Sequence, residues 1–251
     1  MSFSLEGKVA LVTGSSTGLG KAVARAFAKA GAKVAVNYHN NVERAEATMA
    51  EFAKDGLECG LFRANVIDEA SVDAMFDEIE SKLGAVDIVV PNATPDQPLK
   101  PIEEYDWEFY QSMLDFFIKS PYLLTRRALP SMKQKKWGRI INITSEVYQL
   151  SVAPFSAYVS AKGGQVGWSR SMSKELAPFG ITVNMIAPGW IPVERHDKDP
   201  QEMKDGYLAA IPMGRWGRPD EVGSAAVYYA SEEAAFVTGQ TICVNGGNSP
   251  W

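Results

Sequence analysis

A glycine-rich turn between an apolar run and an amphipathic helix constrains this chain more than any other feature. Residues 8–13 are apolar enough for a strand buried on both faces, and three glycines follow within the next seven residues. Apolar positions then recur at helical spacing over residues 19–30, and a second apolar run occupies residues 33–37. Glycines in such a βαβ unit let the backbone approach a pyrophosphate at the helix N-terminus. This segment therefore predicts a parallel sheet with a nucleotide site at its edge.

The same alternation of strand-like and helix-like segments continues along the chain. Strands are predicted over residues 59–63, 86–90, 138–144, 181–186 and 240–244, and helices over 42–54, 69–82, 106–133, 156–177 and 219–231. Right-handed crossovers then give a three-layer, doubly wound, Rossmann-type α/β fold with about seven strands and helices on both faces. We expect a single domain over residues 1–251. Residues 189–219, rich in Pro, Gly and charge, are expected to form a substrate loop or lid.

A tyrosine and a lysine four residues apart, Tyr158 and Lys162, lie within the predicted helix 156–177. At this spacing the two side chains share one face of a helix. A phenol ordinarily keeps its proton until about pH 10, and a nearby cation lowers that pKa, so the pair could provide a general acid or base. Ser145 ends the preceding strand, where its hydroxyl could bind a substrate oxygen that gains charge. Taken alone, the pair is more simply two neighbours on a helix surface.

Charge and composition exclude several classes of partner. The net charge of −5 argues against a nucleic acid or an anionic membrane as the main partner. The N-terminus lacks a secretory signal pattern, and no uncharged apolar run reaches membrane-spanning length. Cys59 and Cys243 lie in strand-like contexts typical of buried thiols, and His196 has no partner at metal-ligand spacing, so no metal site is expected. These features indicate a cytoplasmic enzyme.

Together, these segments resemble the short-chain dehydrogenase/reductase family in its compact single-domain form, over nearly the whole chain. The matching motifs are residues 13–20 (Thr-Gly-Ser-Ser-Thr-Gly-Leu-Gly), Ser145, residues 158–162 (Tyr-Val-Ser-Ala-Lys), Pro188-Gly189 and residues 244–247 (Val-Asn-Gly-Gly). The resemblance implies hydride transfer between a nicotinamide and a carbonyl or secondary alcohol. It implies that Tyr158 protonates the carbonyl oxygen, or accepts the proton in oxidation. Lys162 would lower the pKa of Tyr158 and bind the nicotinamide ribose, and Ser145 would orient the substrate oxygen.

The resemblance also assigns residues to the cofactor. They are Gly14, Ser16, Thr17, Gly18, Leu19, Gly20, Tyr38, His39, Asn65, Val66, Asn92, Ala93, Tyr158, Lys162, Pro188, Gly189 and Ile191. An NAD-preferring site usually carries an acid at the end of the second strand, which repels a 2′-phosphate. That position is Tyr38, and no acid lies between residues 33 and 41. His39 is the only basic side chain at hand there, and we expect NADP, with NAD as the alternative.

Two positions depart from the family pattern. Thr94 replaces the final glycine of the usual Asn-Asn-Ala-Gly motif, which restricts the backbone beside the cofactor. Phe117 stands where the family usually has a catalytic asparagine, and a phenyl ring cannot bond the water that this asparagine holds. Asp115, a backbone carbonyl or a rerouted proton path could substitute. The alternative function is therefore a nucleotide-binding relative with little or no redox turnover.

The sequence says least about the substrate and the residues that bind it. Val147, Tyr148, Phe155 and Trp190 are expected to line the pocket, and this set suits an apolar or ring-bearing substrate or the face of a sugar. The open substrate classes are a 3-oxoacyl thioester and a sugar or small ketone. An acyl-carrier-protein partner needs an exposed basic patch, for which the candidates are Arg126, Arg127, Lys133, Lys135, Lys136 and Arg139.

Assembly is implied only by the resemblance. Family members mostly pair through the long helix and the tyrosine-bearing helix, so we expect a homo-oligomer, a tetramer or a dimer. The terminal Trp251 could dock on a neighbouring subunit, because a tryptophan is costly to leave in water.

Overall fold

The sheet has the predicted doubly wound architecture. The structure, a computed structural model, describes residues 3–250, and the expected docking residue Trp251 lies outside them. Seven parallel strands form one sheet in the order β3-β2-β1-β4-β5-β6-β7. The strands are β1 (Val9–Val12), β2 (Lys33–Tyr38), β3 (Cys59–Arg63), β4 (Ile88–Val90), β5 (Gly138–Ile143), β6 (Ile181–Pro188) and β7 (Thr241–Val244). The predicted Rossmann-type class is confirmed.

Helices cover both faces of this sheet. They are α1 (Gly18–Lys29), α2 (Val42–Lys54), α3 (Glu69–Lys82), α4 (Trp107–Leu114), α5 (Ser120–Lys135), α6 (Val147–Leu150), α7 (Ser156–Leu176), α8 (Gln201–Ala210) and α9 (Pro219–Ala230). One apolar core contains side chains of α1, α2 and α9, and the other contains side chains of α3, α5 and α7. Because helices pack on both faces, β1 and β6 are buried at every position, which explains the continuous apolar run of β1.

Two segments differ from the predicted pattern. A π turn, Asp115–Lys119, interrupts the predicted helix 106–133 between α4 and α5. Such turns are common at functional sites, and apolar periodicity does not reveal them. The expected loop 189–219 contains a 3-10 turn, Glu194–His196, and the helix α8. α8 has no buried residue, so its sequence lacks the apolar stripe that would have predicted it.

The cysteines are more accessible than their strand-like context predicts. Cys59 and Cys243 are free thiols of intermediate exposure, because β3 and β7 are the two edge strands of the sheet. Within residues 3–250, no helix combines the length and the apolar character needed to cross a bilayer.

The strand order determines where a ligand can bind. β1 lies between β2 and β4, so the winding of the sheet reverses at the β1–β4 pair. Ligands of open α/β sheets bind beyond the carboxyl ends of the strands at such a switch point. Val12 of β1 pairs with Val90 of β4, so the segments that follow these two residues leave the sheet side by side. The carboxyl ends of β5 and β6 continue the same edge.

Candidate active site

The glycine turn after β1 has no room for a side chain at Gly14 or Gly20. Gly14 has a φ of +60°, and a Cβ at this position would lie 2.8 Å from the Cα of Ala93. A Cβ on Gly20 would lie 2.4 Å from Nδ2 of Asn92. A side chain at either position would separate the segments that follow β1 and β4. Close approach of two main chains at the switch point therefore requires these glycines.

Two asparagines hold this turn in place. Asn92 donates from Nδ2 to the carbonyl oxygens of Thr13, at 2.8 Å, and Gly14, at 3.2 Å. Asn37 of β2 accepts the Gly14 N–H at 3.1 Å through Oδ1, and its own N–H donates to Oγ of Ser15 at 3.1 Å. Asn92, expected at the cofactor, thus also fixes the spacing between the segments that follow β1 and β4. Asn37, whose context suggests only a polar strand end, instead anchors the glycine turn.

The N-terminus of α1 fits an anion. The N–H of Gly18, whose φ is +57°, donates to Oε2 of Glu194 at 3.1 Å. An N–H at the start of a helix can equally donate to a phosphate oxygen, and the dipole of the helix favours negative charge there. Ser16 is buried beneath the turn, Thr17 is the N-cap residue of α1, and Leu19 lies in its first turn. These residues therefore fit the pyrophosphate of a dinucleotide.

The carboxyl ends of β2 and β3 form the expected adenosine end of the site. Tyr38 is the half-buried last residue of β2, and His39 beyond it is exposed. Arg63 pairs in register with Tyr38, and its Nε donates to the carbonyl oxygen of His39 at 3.1 Å. Two basic side chains and no acid at the end of β2 suit a 2′-phosphate. Sequence reading missed Arg63 because only the register between β2 and β3 brings it to this place.

The expected cofactor residues that follow β3 and β4 mostly stabilise the loops that carry them. Asn65 accepts the N–H of Ile67 at 3.3 Å through Oδ1, and Val66 is buried. The N–H of Ala93 donates to Oγ1 of Thr13 at 3.0 Å. Thr94 does not adopt a positive φ, so the loss of the usual glycine introduces no backbone strain.

The three predicted catalytic side chains converge beyond the carboxyl end of β5. The side chain of Ser145 lies beside the hydroxyl of Tyr158 on α7. Lys162 is buried, and its Nζ donates to the carbonyl oxygen of Ile143 at 2.7 Å and to Oε1 of Gln165 at 3.0 Å. Nζ also lies 5.6 Å from the centre of the Tyr158 ring. Sequence reading missed Gln165, although its spacing of three residues from Lys162 places both on one helix face.

The pKa values of the pair differ from our expectation. Burial raises the pKa of Tyr158, and it outweighs the positive charge of Arg195 and the hydrogen bond from Ser145, which both act to lower it. Burial also holds the pKa of Lys162 well below its usual value, and the charge of Arg195 acts in the same direction. A buried amine whose pKa is lowered is a weaker source of positive charge for its neighbour. The net shift of the Tyr158 pKa is therefore upward, where the spacing predicted a downward shift.

Phe117 occupies the position of the usual asparagine and faces the catalytic lysine. Its ring lies in the π turn, is 2% exposed, and has its centroid 3.8 Å from Nζ of Lys162. The ring also packs edge-on against Tyr158, with 5.3 Å between centroids. It stabilises the ammonium through a cation–π contact but offers no hydrogen bond. Asp115 accepts a bond from Gln111, whereas Lys162 donates to the backbone carbonyl of Ile143.

The expected substrate residues lie on two walls. On one wall, Phe155 packs against Tyr158 with 4.9 Å between ring centroids, and Val147 is half-buried in α6. Tyr148 is 39% exposed and lies over α7, where a Cβ on Gly163 would approach its ring to 3.0 Å.

The opposite wall begins where β6 ends. After Pro188, the N–H of Gly189 donates to the carbonyl oxygen of Val244 at 3.0 Å, and Ile191 is buried. Trp190 belongs to an aromatic cluster with His196, Tyr207 and Trp216. In the part of the chain that the structure describes, no three His, Cys, Asp or Glu side chains are grouped to hold a metal ion.

Comparisons with known proteins show what the whole chain is similar to. The family model described as Enoyl-(Acyl carrier protein) reductase matches residues 14–249. The 3-oxoacyl-[acyl-carrier-protein] reductase FabG of Staphylococcus aureus (strain Mu50) is 38% identical over 242 residues, which cover 96% of this chain and 97% of that protein. The enzyme of the same name from Aquifex aeolicus (strain VF5) is 37% identical over 250 residues, with coverages of 98% and 99%.

A solved structure gives a similar result. The crystal structure of a gluconate 5-dehydrogenase from Burkholderia cenocepacia J2315, in complex with NADP and tartrate, superposes with a TM-score of 0.89 at 32% identity. The match covers 98% of this chain and 97% of that one.

Proposed function

This chain belongs to the short-chain dehydrogenase/reductase family, and we propose that it is an NADPH-dependent reductase of a carbonyl group in a small, free molecule. The observation that carries the proposal is the meeting of Ser145, Tyr158 and Lys162 beyond the strand edge that holds the glycine turn. A proton donor and a dinucleotide site at one edge of a sheet provide what carbonyl reduction needs.

The chain's own groups then have distinct tasks. When bound, the nicotinamide supplies the hydride that adds to the carbonyl carbon. The hydroxyl of Tyr158 donates its proton to the carbonyl oxygen, so the product is a secondary alcohol and the tyrosine must be reprotonated. Ser145 donates a hydrogen bond to the same oxygen as negative charge develops on it. Lys162, held by Ile143 and Gln165, keeps its amine beside the tyrosine.

The cofactor assignment rests on the end of β2. The second strand offers no acid to a ribose 2′-hydroxyl, and the guanidinium of Arg63, bonded to the main chain at His39, offers positive charge to a 2′-phosphate. The related gluconate 5-dehydrogenase structure contains NADP. Both observations support NADP over NAD.

The charge around the site favours a carboxylate-bearing carbonyl compound. Arg195 is exposed, its Nε donates to Nε2 of His196 at 3.0 Å, and its charge acts on both Tyr158 and Lys162. None of the ion pairs in the described part of the chain includes it. An unpaired guanidinium beside the catalytic groups is suited to a substrate carboxylate.

A second candidate is the reduction of a 3-oxoacyl thioester, which the names of the relatives favour. Delivery by a carrier protein would need the basic patch on α5, but acidic residues neutralise most of it. The pairs are Arg127 with Asp77 (2.6 Å) and Glu80 (3.1 Å), Arg126 with Glu69 (3.0 Å), and Lys135 with Asp87 (2.6 Å). Arg139 is buried. This surface therefore favours a free substrate, and the relatives do not favour the alternative of a nucleotide-binding protein without turnover.

We also infer that the protein works in the cytoplasm as a homo-oligomer, a dimer or a tetramer. Large apolar side chains on its surface support assembly, since Phe236, Ile102 and Trp107 are 102%, 68% and 66% exposed. Light scattering tests the assembly, and a monomer at micromolar concentration would contradict it.

The decisive experiment measures NADPH and NADH oxidation against four carbonyl compounds. They are a 2-keto acid, an uncharged ketone, a keto-sugar and a 3-oxoacyl thioester without carrier protein. Tyr158→Phe should lower kcat by about 10²–10⁴-fold, the contribution of a positioned general acid. Tyr122→Phe, which changes an exposed tyrosine of α5, is the matched control. The proposal fails if the wild type oxidises NADPH with none of the four compounds, or if Tyr158→Phe retains full activity.

A further inference from the structure

A buried carboxylate directly follows the catalytic serine. The side chain of Glu146 is 2% exposed, and its Oε1 accepts bonds from the hydroxyl of Tyr207 and from Nδ2 of Asn248, the latter at 3.2 Å. Oγ of Ser249 lies 3.5 Å from the other carboxylate oxygen. No ion pair in the described residues includes Glu146, so neutral donors alone satisfy it. None of these contacts belongs to the reaction derived above.

Tyr207 connects this carboxylate to the substrate loop. Its hydroxyl donates to Glu146 and accepts the N–H of Trp190 at 2.7 Å. Its ring stacks on Trp216, with 5.6 Å between centroids and 13° between planes, and meets the Trp190 ring at 5.4 Å. Burial, followed by the bond to Glu146, raises the pKa of Tyr207, so its hydroxyl stays protonated and able to donate at neutral pH.

Four segments therefore meet at the bonded pair of Glu146 and Tyr207. They are the segment after β5 that carries Ser145, the loop after β6 that carries Trp190, the helix α8, and residues 248–249. If α8 moved away, Glu146 would lose the hydroxyl of Tyr207 while its carboxylate remained largely buried, which is strongly unfavourable. The contacts thus favour one arrangement of the loop beside the segment that carries Ser145.

We propose that Glu146 is a positioning residue, which acts through Tyr207 to fix the main chain at Trp190 and so sets the shape of the substrate pocket beside Ser145. This inference deepens the proposed function and rests on it. Glu146 need not touch the substrate. Its role predicts an effect on the binding of the carbonyl compound, with the proton donor Tyr158 left in place.

The chain offers a graded set of variants. Tyr207→Phe removes the hydroxyl that joins Glu146 to Trp190 and leaves the ring that packs on Trp216. Glu146→Gln keeps an acceptor oxygen for Tyr207 and can donate to Ser249, so it is the conservative replacement. Glu146→Ala removes both functions. Tyr228→Phe, on the distant helix α9, is the control for loss of a tyrosine hydroxyl.

The test measures kcat and KM for the carbonyl compound that the wild type reduces best, at saturating NADPH. We expect Tyr207→Phe and Glu146→Ala each to raise KM about tenfold, the factor for loss of a buried hydrogen bond, with a smaller change in kcat. The double variant should be no worse than the worse single variant, because both changes break one unit. Glu146→Gln and Tyr228→Phe should stay within about threefold of the wild type.

A second readout needs no turnover. Acrylamide quenching of tryptophan fluorescence reports the exposure of all six tryptophans, of which Trp190 and Trp216 pack on Tyr207. Relative to wild type, quenching should increase in Tyr207→Phe and Glu146→Ala but not in Glu146→Gln. Unchanged KM and quenching in a folded Tyr207→Phe, or additive effects in the double variant, would overturn the inference. A wild type that reduces no carbonyl compound would defeat the proposed function, while the quenching experiment would still decide the role of Glu146.

Discussion

Replacing Asn37 with aspartate should destabilise the fold more than replacing it with alanine. The side chain is 2% exposed, and its Oδ1 accepts the N–H of Gly14 at 3.1 Å. Its Nδ2 faces acceptors only: the backbone carbonyl oxygens of Tyr38 at 3.3 Å, Phe62 at 3.4 Å and Ala64 at 3.3 Å, and the Met75 sulfur at 3.5 Å. Aspartate keeps an Oδ1 acceptor for the N–H of Gly14 but replaces the Nδ2 donor with a second carboxylate oxygen. This oxygen shares a negative charge and can only accept hydrogen bonds. Three carbonyl oxygens would then face a carboxylate.

The expected losses follow from these contacts. Asn37→Ala leaves the Gly14 N–H without its partner, which costs about 1–3 kcal/mol of unfolding free energy. Asn37→Asp places an uncompensated charge in the same space, which costs about 3–5 kcal/mol. The burial and the facing carbonyl oxygens would raise the pKa of the new carboxyl above its unfolded value of about 3.9. Its destabilising effect should therefore be absent below that value and grow as the pH rises toward the folded pKa.

Urea denaturation at pH 5 and pH 8 measures both effects. The slope with urea should stay constant among the variants, and the Asp variant should lose stability relative to wild type between the two pH values. Asn40→Asp, on the exposed turn after β2, adds the same charge outside the core and should change stability by less than about 0.5 kcal/mol. If Asn37→Asp proves as stable as Asn37→Ala at pH 8, Asn37 does not anchor the glycine turn in the way that its bonds indicate.

Four further substitutions test the assignments of the site. Arg63→Gln should weaken NADPH binding about tenfold and leave NADH binding unchanged, as measured by nucleotide fluorescence; equal losses for both would contradict a 2′-phosphate contact. Arg195→Gln should raise KM about tenfold for a 2-keto acid but not for an uncharged ketone, and equal effects on the two would refute the carboxylate contact. Glu194→Gln should tighten NADPH binding, because the Glu194 carboxylate competes with a phosphate for the N-terminus of α1. Weaker binding by calorimetry would contradict this competition. Ser145→Ala removes a bond that lowers the pKa of Tyr158, and alcohol oxidation needs the phenolate form of this residue. The rate of alcohol oxidation should therefore rise at a higher pH than in wild type. An unshifted pH profile would exclude that influence.

The parts of the fold that sequence predicts best are those governed by local patterns. The apolar run at 8–13, the glycines after it and the helical period beyond define the first βαβ unit without any knowledge of tertiary contacts. Tyr158 and Lys162 are found in the same way, since their spacing alone places them on one face. The observed boundaries of strands and helices differ from the predicted ones by a few residues, as at β4, which has three residues where five were predicted.

The missed features depend on contacts between distant parts of the chain. Arg63 becomes important only through the register of β3 against β2, and Glu146 only because α8 and residues 248–249 converge on it. The upward shift of the Tyr158 pKa depends on how deeply α7 is buried, which no spacing reports. The π turn around Phe117 gives no periodic signal either. Tertiary environment, and not local pattern, determines each of these.

The bond between Gly18 and Glu194 joins residues 176 positions apart, and the bond between Glu146 and Asn248 joins residues 102 positions apart. Contacts of such long sequence separation require large loops to close, so topology makes them slow to form. The βα units can therefore collapse around the sheet before the pocket exists. Weakening these late contacts should mainly accelerate unfolding and leave the folding rate nearly unchanged. These long-range bonds around the site thus also contribute to the lifetime of the folded protein.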